Sequence, residues 1–563
     1  MIKKLQNIYR IIPEEFQKKS LRYLLLSMFN IFLDLVSVAY LIPLFIFILD
    51  KDQMPEFLKK ITFFNEANLL FWVMGIIFLF ILKNIIQIAI IRFQSSLVFE
   101  VATKLSGNLT HRFLQNSYGQ IQQLDKGKEI QKIQMSGTDF ANHILLSLNA
   151  IFTELSVIIV IALVSLFLYP YFSLYIFLIA FICLFLIYHL RKKKVNKIGR
   201  SIKKLYSTST SHLLNIIDGF LEIKSLGKEE FFQKQYHQTL SEFNTNIAEL
   251  KNHQNSNTKF LEIAIILALS LFLFYLNTSF NLMSGKVLLI SYVAGISLKL
   301  FPSLNKLIVA FTNFRSYQYT LDILQPFSNN FENKPSIVPF KNHLELRDVS
   351  FSFSNNHQLL SHINITLEKG KITGIKGRSG IGKTTLLNII MGLLEPQSGE
   401  IIIDKNPVKH LQSYPFKFVG YVPQQPFLFQ GSLIENIVMD EDKKQINFSL
   451  INELIDALSL REFVSRLPSG LDTLLSHDSL QVSGGQKQRI ALIRALYANP
   501  KLLILDEVTN QLDENLEENV LQFIKNYTLK NNIAVVLVSH SPLMNSVCDA
   551  VFEINQFSLN KIA

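Results

Sequence analysis

The apolar and polar positions divide the chain in two. In residues 1–327 apolar side chains gather into six long runs, at 24–49, 67–91, 144–169, 171–190, 260–280 and 287–311. Each is too long for a strand and long enough to cross a hydrocarbon core of about 30 Å as a helix, which satisfies every backbone group within its own segment. The pattern predicts six membrane-spanning helices. Short turns join spans three and four around Pro170 and spans five and six across NLMSGK (281–286). Between spans one and two, both charge signs appear with Phe57, Leu58 and Ile61 at helical spacing, which predicts a short amphipathic helix over 55–64. The polar stretches after spans two and four contain little Pro or Gly and keep helical periodicity, so they predict long helical extensions. The second extension opens with RKKKVNK (191–197), and the positive-inside rule puts that end of span four in the cytoplasm. An even number of spans then places both termini there. Residues 1–19 carry charge without the apolar core and cleavage site of a signal peptide, and predict a helix lying on the membrane surface.

Beyond residue 327 the pattern changes. Residues 328–342, SNNFENKPSIVPFKN, read as a linker, and 343–563 alternate short β-rich runs (KITGI, FVGYV, LLILD, AVVLV) with helical ones. That alternation predicts an α/β nucleotide-binding fold behind an α-helical membrane domain. Composition agrees: 49% of the 563 residues are hydrophobic and 18% charged, with mean hydropathy +0.26, which strains a purely soluble reading. The net charge of +11 suits nucleic acid, anionic lipid or cytoplasmic loops, and six spans favour the last. Cys183 and Cys548 lie in segments of different character and support neither a disulfide framework nor a cysteine metal site.

The sharpest chemistry is Gly377-Arg-Ser379-Gly380-Ile-Gly382-Lys383-Thr384-Thr385, between a predicted strand and a predicted helix. Its glycines let the backbone bend around phosphates and aim N–H groups at them. Lys383 supplies a point charge to β and γ phosphates, and Thr384 a hydroxyl for Mg²⁺. The apolar run 502–505 ends in Asp506 and Glu507, where such a fold needs one acid for the metal and one beside the attacking water. The run 534–538 ends in Ser539 and His540, at a strand's carboxyl end facing the ligand crevice, where a γ-phosphate sensor would stand.

Val482-Ser483-Gly484-Gly485-Gln486, followed by KQRIALIRAL, resembles the signature motif of ATP-binding cassette (ABC) proteins. Read from residues alone, it is a Gly-rich turn before a helix bearing Arg489 and Arg494, a candidate anion site. The resemblance implies that Ser483 to Gln486 bind the γ-phosphate of ATP held by the opposite subunit. It also implies a Q-loop at Gln424, which joins Thr384 and Asp506 at the metal, a D-loop at Asp513, and Phe353 stacked on adenine. Val482, Phe353 and NQLD replace the usual Leu, Tyr and SALD, while 473–481 (TLLSHDSLQ, with His477 and Asp478) lacks the usual Glu and flanking Gly.

Six spans before one cassette resemble the half-transporter arrangement of type I (type IV) ABC exporters. The resemblance implies membrane-domain couplers near Gly127 to Glu129 and at 213–219. Asp34, Pro43, Lys83, Glu154 and the stretch 299–306 look like bacterial lipid-linked oligosaccharide flippases. Asp34, Glu154 and Glu262 balance Lys83, Lys299 and Lys306, either as interhelical pairs or as a charged passage. The chain therefore reads as an ATP- and Mg²⁺-dependent exporter or flippase of a lipid-linked substrate, of the saccharide class, in the bacterial inner membrane. Its expected partner is a second copy of itself or a related half-transporter, and nucleic acid is not expected. The alternative is a multidrug or peptide exporter.

Overall fold

The computed structural model describes all residues except 1, 50–68, 169, 280–282, 325–338, 354–357, 409–417, 440–445, 476–481 and 563. The predicted helix over 55–64, most of the linker 328–342, and His477 and Asp478 lie outside the described residues. The chain forms two compact units, Met1–Asn116 with Gln123–Ser328, and Ser117–Gln122 with Asn329–Ala563.

The first unit is helical. It contains α1 (Ile2–Ile11), α2 (Glu14–Leu49), α3 (Leu69–Leu114), α5 (Lys126–Asp139), a π-helical stretch Phe140–Leu145, α6 (Leu146–Leu168), α7 (Pro170–Asp218), α8 (Phe220–Ser225), α9 (Glu229–Ser279), α10 (Met283–Ser316) and α11 (Tyr319–Ile323); α4 (Tyr118–Gln122) belongs to the second unit. Each predicted span coincides with a long helix, and the polar extensions continue those helices, as in the 49-residue α7 and the 51-residue α9. Pro170 opens α7, where its missing N–H costs no hydrogen bond. Along α3, Met74, Phe78, Ile81, Ile85 and Ile88 are exposed, as an apolar face turned toward lipid would be. Among the described residues two helical stretches, Val73–Leu114 and Lys126–Leu166, are long and apolar enough to cross a membrane.

Glycines set the closest helix crossings. A Cβ on Gly199 of α7 would stand 2.1 Å from the Ser316 carbonyl oxygen, and one on Gly127 of α5 would stand 2.1 Å from Ser211 Oγ. Gly127 is thus packed against α7 inside the first unit. The segment held with the cassette is Ser117–Gln122, whose Tyr118 packs on the cassette core. Intramembrane charges pair: Lys306 Nζ lies 2.9 Å from Glu154 across α10 and α6, and Lys259 Nζ lies 2.8 Å from Glu262 within α9. Lys83 rests over the Phe80 ring. Asp34 and Pro43 fall in α2, with side chains outside the described residues.

The second unit holds two main sheets, a short pair β7 (Gly431–Ser432) with β8 (Leu474–Leu475), and, in sequence between the sheets' strands, helices that include α13 (Leu433–Val438), α14 (Phe448–Ala457) and α15 (Arg461–Arg466). One main sheet, unforeseen from sequence, is four-stranded and antiparallel, with order β2 (Gln358–Glu368), β1 (His343–Ser352), β4 (Ser398–Ile403), β5 (Asn406–Pro407). The other runs β12 (Ser558–Lys561), β11 (Ala550–Asn555), β3 (Ile372–Lys376), β10 (Ala534–Val538), β9 (Leu502–Asp506), β6 (Val419–Val422). The four predicted apolar runs are β3, β6, β9 and β10, all parallel. Buried on both faces, such strands read as continuous apolar runs. The helix after the Gly-rich loop, α12 (Lys383–Ile390), ends before the apolar Leu393 and Leu394, where Gly392 turns at φ 71°.

Candidate functional site

Parallel strands deliver their carboxyl ends to one edge, the ligand crevice of an open α/β sheet. Here β3 leads into Gly377, β9 into Asp506 and Glu507, and β10 into Ser539 and His540. The loop bends through Gly380 (φ 78°) and Gly382 (φ 110°), left-handed conformations that favour glycine. Ser379 and Gly380 are exposed on the loop, Thr384 is exposed and Thr385 buried in the first turn of α12. That turn opens with unpaired N–H groups facing the loop, a ready anion cradle.

Lys383 is only 7% exposed and its ammonium is fully engaged. It donates to the Gly377 carbonyl at 2.8 Å, stands 2.8 Å from His540 Nε2, and lies 3.4 Å from Glu507 Oε1. Glu507 gathers the other groups: Gln424 Nε2 donates to its Oε2 at 2.7 Å, Asn510 Nδ2 donates to the same oxygen at 2.9 Å, and His540 Nε2 is 3.5 Å from its Oε1. Its backbone sits at φ 52°, a conformation costly for a non-glycine residue, held by its N–H on the Val538 carbonyl. Below it, Gln488 spans the Gln424 and Glu507 carbonyls, although its Oε1 is buried without a described hydrogen-bond partner. Burial, then the Glu507 charge, raises the Asp506 carboxyl above its ordinary range against the pull of Lys383 and a hydrogen bond from Tyr421.

The remaining predicted residues stand apart from this cluster. Ser483 caps α16 (Gly484–Tyr497) in a capping box with Gln486, and its hydrogen bonds stay within that turn. Gly484 and Gly485 pack against Gln511; a Cβ on Gly484 would meet Gln511 Oε1 at 1.8 Å. Asp513 stands at the N-cap of α17 (Glu514–Asn531), its carboxylate making no capping bond. Phe353 is 54% exposed and meets Phe351 edge-on at 5.1 Å. Arg489 and Arg494 do not form the anion site considered from sequence. Arg489 donates to the Gly485, Leu458 and Ser459 carbonyls, and Arg494 to those of Asn436 and Phe427, which fixes loops instead. Sequence reasoning missed Asn510, Gln488 and Tyr421. Asn510, three residues past Glu507 in the turn before α17, carried a signal, since it begins the NQLD stretch already marked as a departure.

Among the described residues no cluster of three or more His, Cys, Asp or Glu could hold a metal unaided. Cys548 is a free thiol that burial pushes up to about 12, which makes it a poor nucleophile.

Comparison with known proteins adds the lineage. Residues 21–300 match the family described as ABC transporter transmembrane region, and residues 360–510 match the family described as ABC transporter. ABC transporter B family member 14 of Arabidopsis thaliana is 34% identical over 220 residues, 39% of this chain and 18% of that protein. The ATP-dependent lipid A-core flippase of Desulfotalea psychrophila is 36% identical over 213 residues, 37% of this chain and 36% of that one. The chain thus spans well under half the length of these curated relatives. A solved bacterial Atm1-family ABC exporter with ATP bound superposes with a TM-score of 0.79 at 16% identity, over 97% of this chain and 94% of the other, and so shares its fold. With a transmembrane region and an ABC domain matched in one polypeptide, in the ABC exporter fold, this chain belongs to the ABC transporters.

Proposed function

We propose that the chain is one half of an ATP-driven exporter. The observation that carries this reading is the convergence of Lys383, Glu507, His540 and Gln424 within hydrogen-bonding or ion-pair distance at the carboxyl edge of the parallel sheet. The Gly377–Thr385 loop cradles the phosphates, and Lys383 exchanges its contacts with His540 and Glu507 for phosphate oxygens. Glu507 orients the attacking water, Gln424 and Asn510 hold its carboxylate, and His540 contacts the γ-phosphate. Thr384, Gln424 and Asp506 are hard oxygen donors of the kind Mg²⁺ takes alongside phosphate oxygens, so a single carboxylate suffices. Bound there, Mg²⁺ would neutralise charge developing on the phosphates. Purified protein is expected to hydrolyse MgATP. Glu507→Gln should bind ATP with turnover reduced at least about 100-fold, and Lys383→Ala should lose binding as well. Full activity in both variants would remove the assignment.

The second half is a second copy or a related half-transporter, whose cassette receives Ser483 to Gln486 over its own loop. Support comes from Leu213, Ile217, Phe220, Leu221 and Leu226, large apolar residues exposed close together in sequence around the α7–α8 junction, as a surface covered by another chain would be.

For cargo, the reading is an amphipathic lipid-linked molecule of the saccharide class named above, moved to the outer leaflet of a bacterial inner membrane with cassette and termini in the cytoplasm. The basic run 191–197, the intramembrane Lys83 and Lys299, and the flippase among the relatives support it. The Glu154–Lys306 and Lys259–Glu262 pairs favour a second reading, a drug or peptide exporter whose intramembrane charges are structural. Reconstituted vesicles decide between them. Lipid-linked saccharide should change leaflet with ATP, and neutralising Lys83 or Lys299 should cut transfer and leave basal ATPase intact; faster movement of hydrophobic drugs or peptides would support the second reading.

A further inference from the structure

A cavity of about 630 Å³ opens among α1, α2, α3 and α6 of the membrane unit, inside the roughly 300–1,000 Å³ typical of ligand sites. Ile8, Ile12, Leu24, Leu97, Leu148 and Phe152 make apolar walls. Glu14 and Lys18 also line it and are exposed, so they mark where the cavity reaches the surface. They stand one helical turn apart, opposite in charge, and neither pairs with a described residue. Their neighbours do pair: Lys19 with Glu100 at 2.7 Å and Lys104 with Glu15 at 2.9 Å. Inside, Tyr23 is 5% exposed, and among the described residues none hydrogen-bonds its hydroxyl. The hydroxyl oxygen itself is not sealed off, so it is open to the cavity and can exchange a hydrogen bond with whatever occupies it.

We propose that this cavity binds one acyl chain of a zwitterionic phospholipid from the leaflet on the α1 side, with the phosphate at Lys18 and the headgroup ammonium at Glu14. The walls remove an acyl chain from water, and the ester region comes within reach of the Tyr23 hydroxyl. A net anionic headgroup would satisfy Lys18 and set its charge against Glu14, whereas a phosphate and an ammonium a few ångströms apart match both. Leu21 and Leu25, both exposed on α2 beside the cavity, continue its apolar lining outward to where bilayer lipid lies. The inference does not depend on the identity of the cargo.

The test is native mass spectrometry of delipidated, detergent-purified protein equilibrated with an equimolar mixture of dioleoyl phosphatidylethanolamine and dioleoyl phosphatidylglycerol. Wild type is expected to retain one phosphatidylethanolamine per chain, preferred over phosphatidylglycerol by about tenfold. Leu148→Trp, which fills the cavity, should lower retention about tenfold, and Glu14→Lys should turn the preference toward phosphatidylglycerol. Equal retention by wild type and Leu148→Trp would overturn the cavity as the site. Absence of a headgroup preference in wild type, or an unchanged preference in Glu14→Lys, would overturn the headgroup assignment. Glu14 is exposed, so that variant keeps the test decisive if Leu148→Trp fails to fold.

Discussion

Asp506 shows how a single residue trades stability for chemistry. It ends a strand buried along its whole length, and burial together with the Glu507 charge raises its carboxyl above the ordinary value. A raised carboxyl opposes folding once ionised: its contribution is intact below the unfolded-state value and is lost as pH rises through the folded one. Asp506→Asn should therefore melt higher than wild type at about pH 8, by roughly 2–4 °C if about 1 kcal/mol is recovered, with the advantage gone below about pH 4. Scanning calorimetry across pH checks this, and the same variant should lose ATPase. Asn510 acts on the neighbouring acid. Its amide and that of Gln424 meet on one Glu507 oxygen, 2.9 and 2.7 Å away. Asn510→Ala should lower kcat about tenfold, about 1.4 kcal/mol of barrier, with KM for ATP nearly unchanged, and Asn510→Gln should recover part of the loss. Steady-state kinetics of both variants separates positioning from a general loss of folded protein, which would lower the active fraction and not the turnover of each site.

At the scale of elements, the membrane helices approach through glycines. Replacing a helical glycine by alanine ordinarily stabilises by roughly 0.5–1 kcal/mol, because alanine loses less freedom on folding. At Gly199 the new methyl would stand 2.1 Å from a carbonyl of α10, and at Gly127 it would strike α7 backbone and Ser211. Both substitutions are thus expected to reverse the sign and destabilise by about 1–3 kcal/mol, seen as a lower melting temperature in detergent. Gly107, which has no heavy atom within 4 Å of its Cβ position, is the control expected to show the ordinary gain. The Glu154–Lys306 pair joins α6 to α10 at 2.9 Å, with Glu154 mostly buried and Lys306 largely exposed. A double-mutant cycle over Glu154→Gln and Lys306→Met should give a coupling of about 1 kcal/mol or less. Loss of transport without coupling would instead assign both charges to the passage.

For the whole molecule, the decisive arrangement is a shared one. Ser483 spends its hydrogen bonds on its own helix turn, leaving Gly484 and Gly485 near the helix N-terminus, a geometry suited to an anion brought by another chain. With Glu507→Gln to hold ATP, a cysteine at Ser483 should crosslink to one at Ser379 between chains, giving a dimer on non-reducing gels. Crosslinks confined to monomers would reject the composite site. Of the two natural cysteines, Cys183 is replaced by serine for this test, and Cys548 is no rival, since burial keeps it protonated.

Elements whose physics is local could be read straight from the order of residues. The long helices of the first unit were legible because each predicted span is an uninterrupted apolar run, and β3, β6, β9 and β10 because a parallel sheet buries both faces of each strand. Gly380, Gly382 and Lys383 were legible because a phosphate cradle needs positive φ and a cation at fixed spacing. What depends on distant residues meeting emerged only from the folded chain. The antiparallel sheet of β1, β2, β4 and β5 does alternate, at Leu344 and Leu346 along β1 and at Ile363, Ile365 and Leu367 along β2, but register shifts after Leu346 break the period, and which strand pairs with which depends on distant residues meeting. Asn510 on Glu507, Arg489 and Arg494 on carbonyls, Gly127 against α7, and Glu154 with Lys306 are contacts across elements. In each, the residue type permits several roles, and the chain's path through space leaves one.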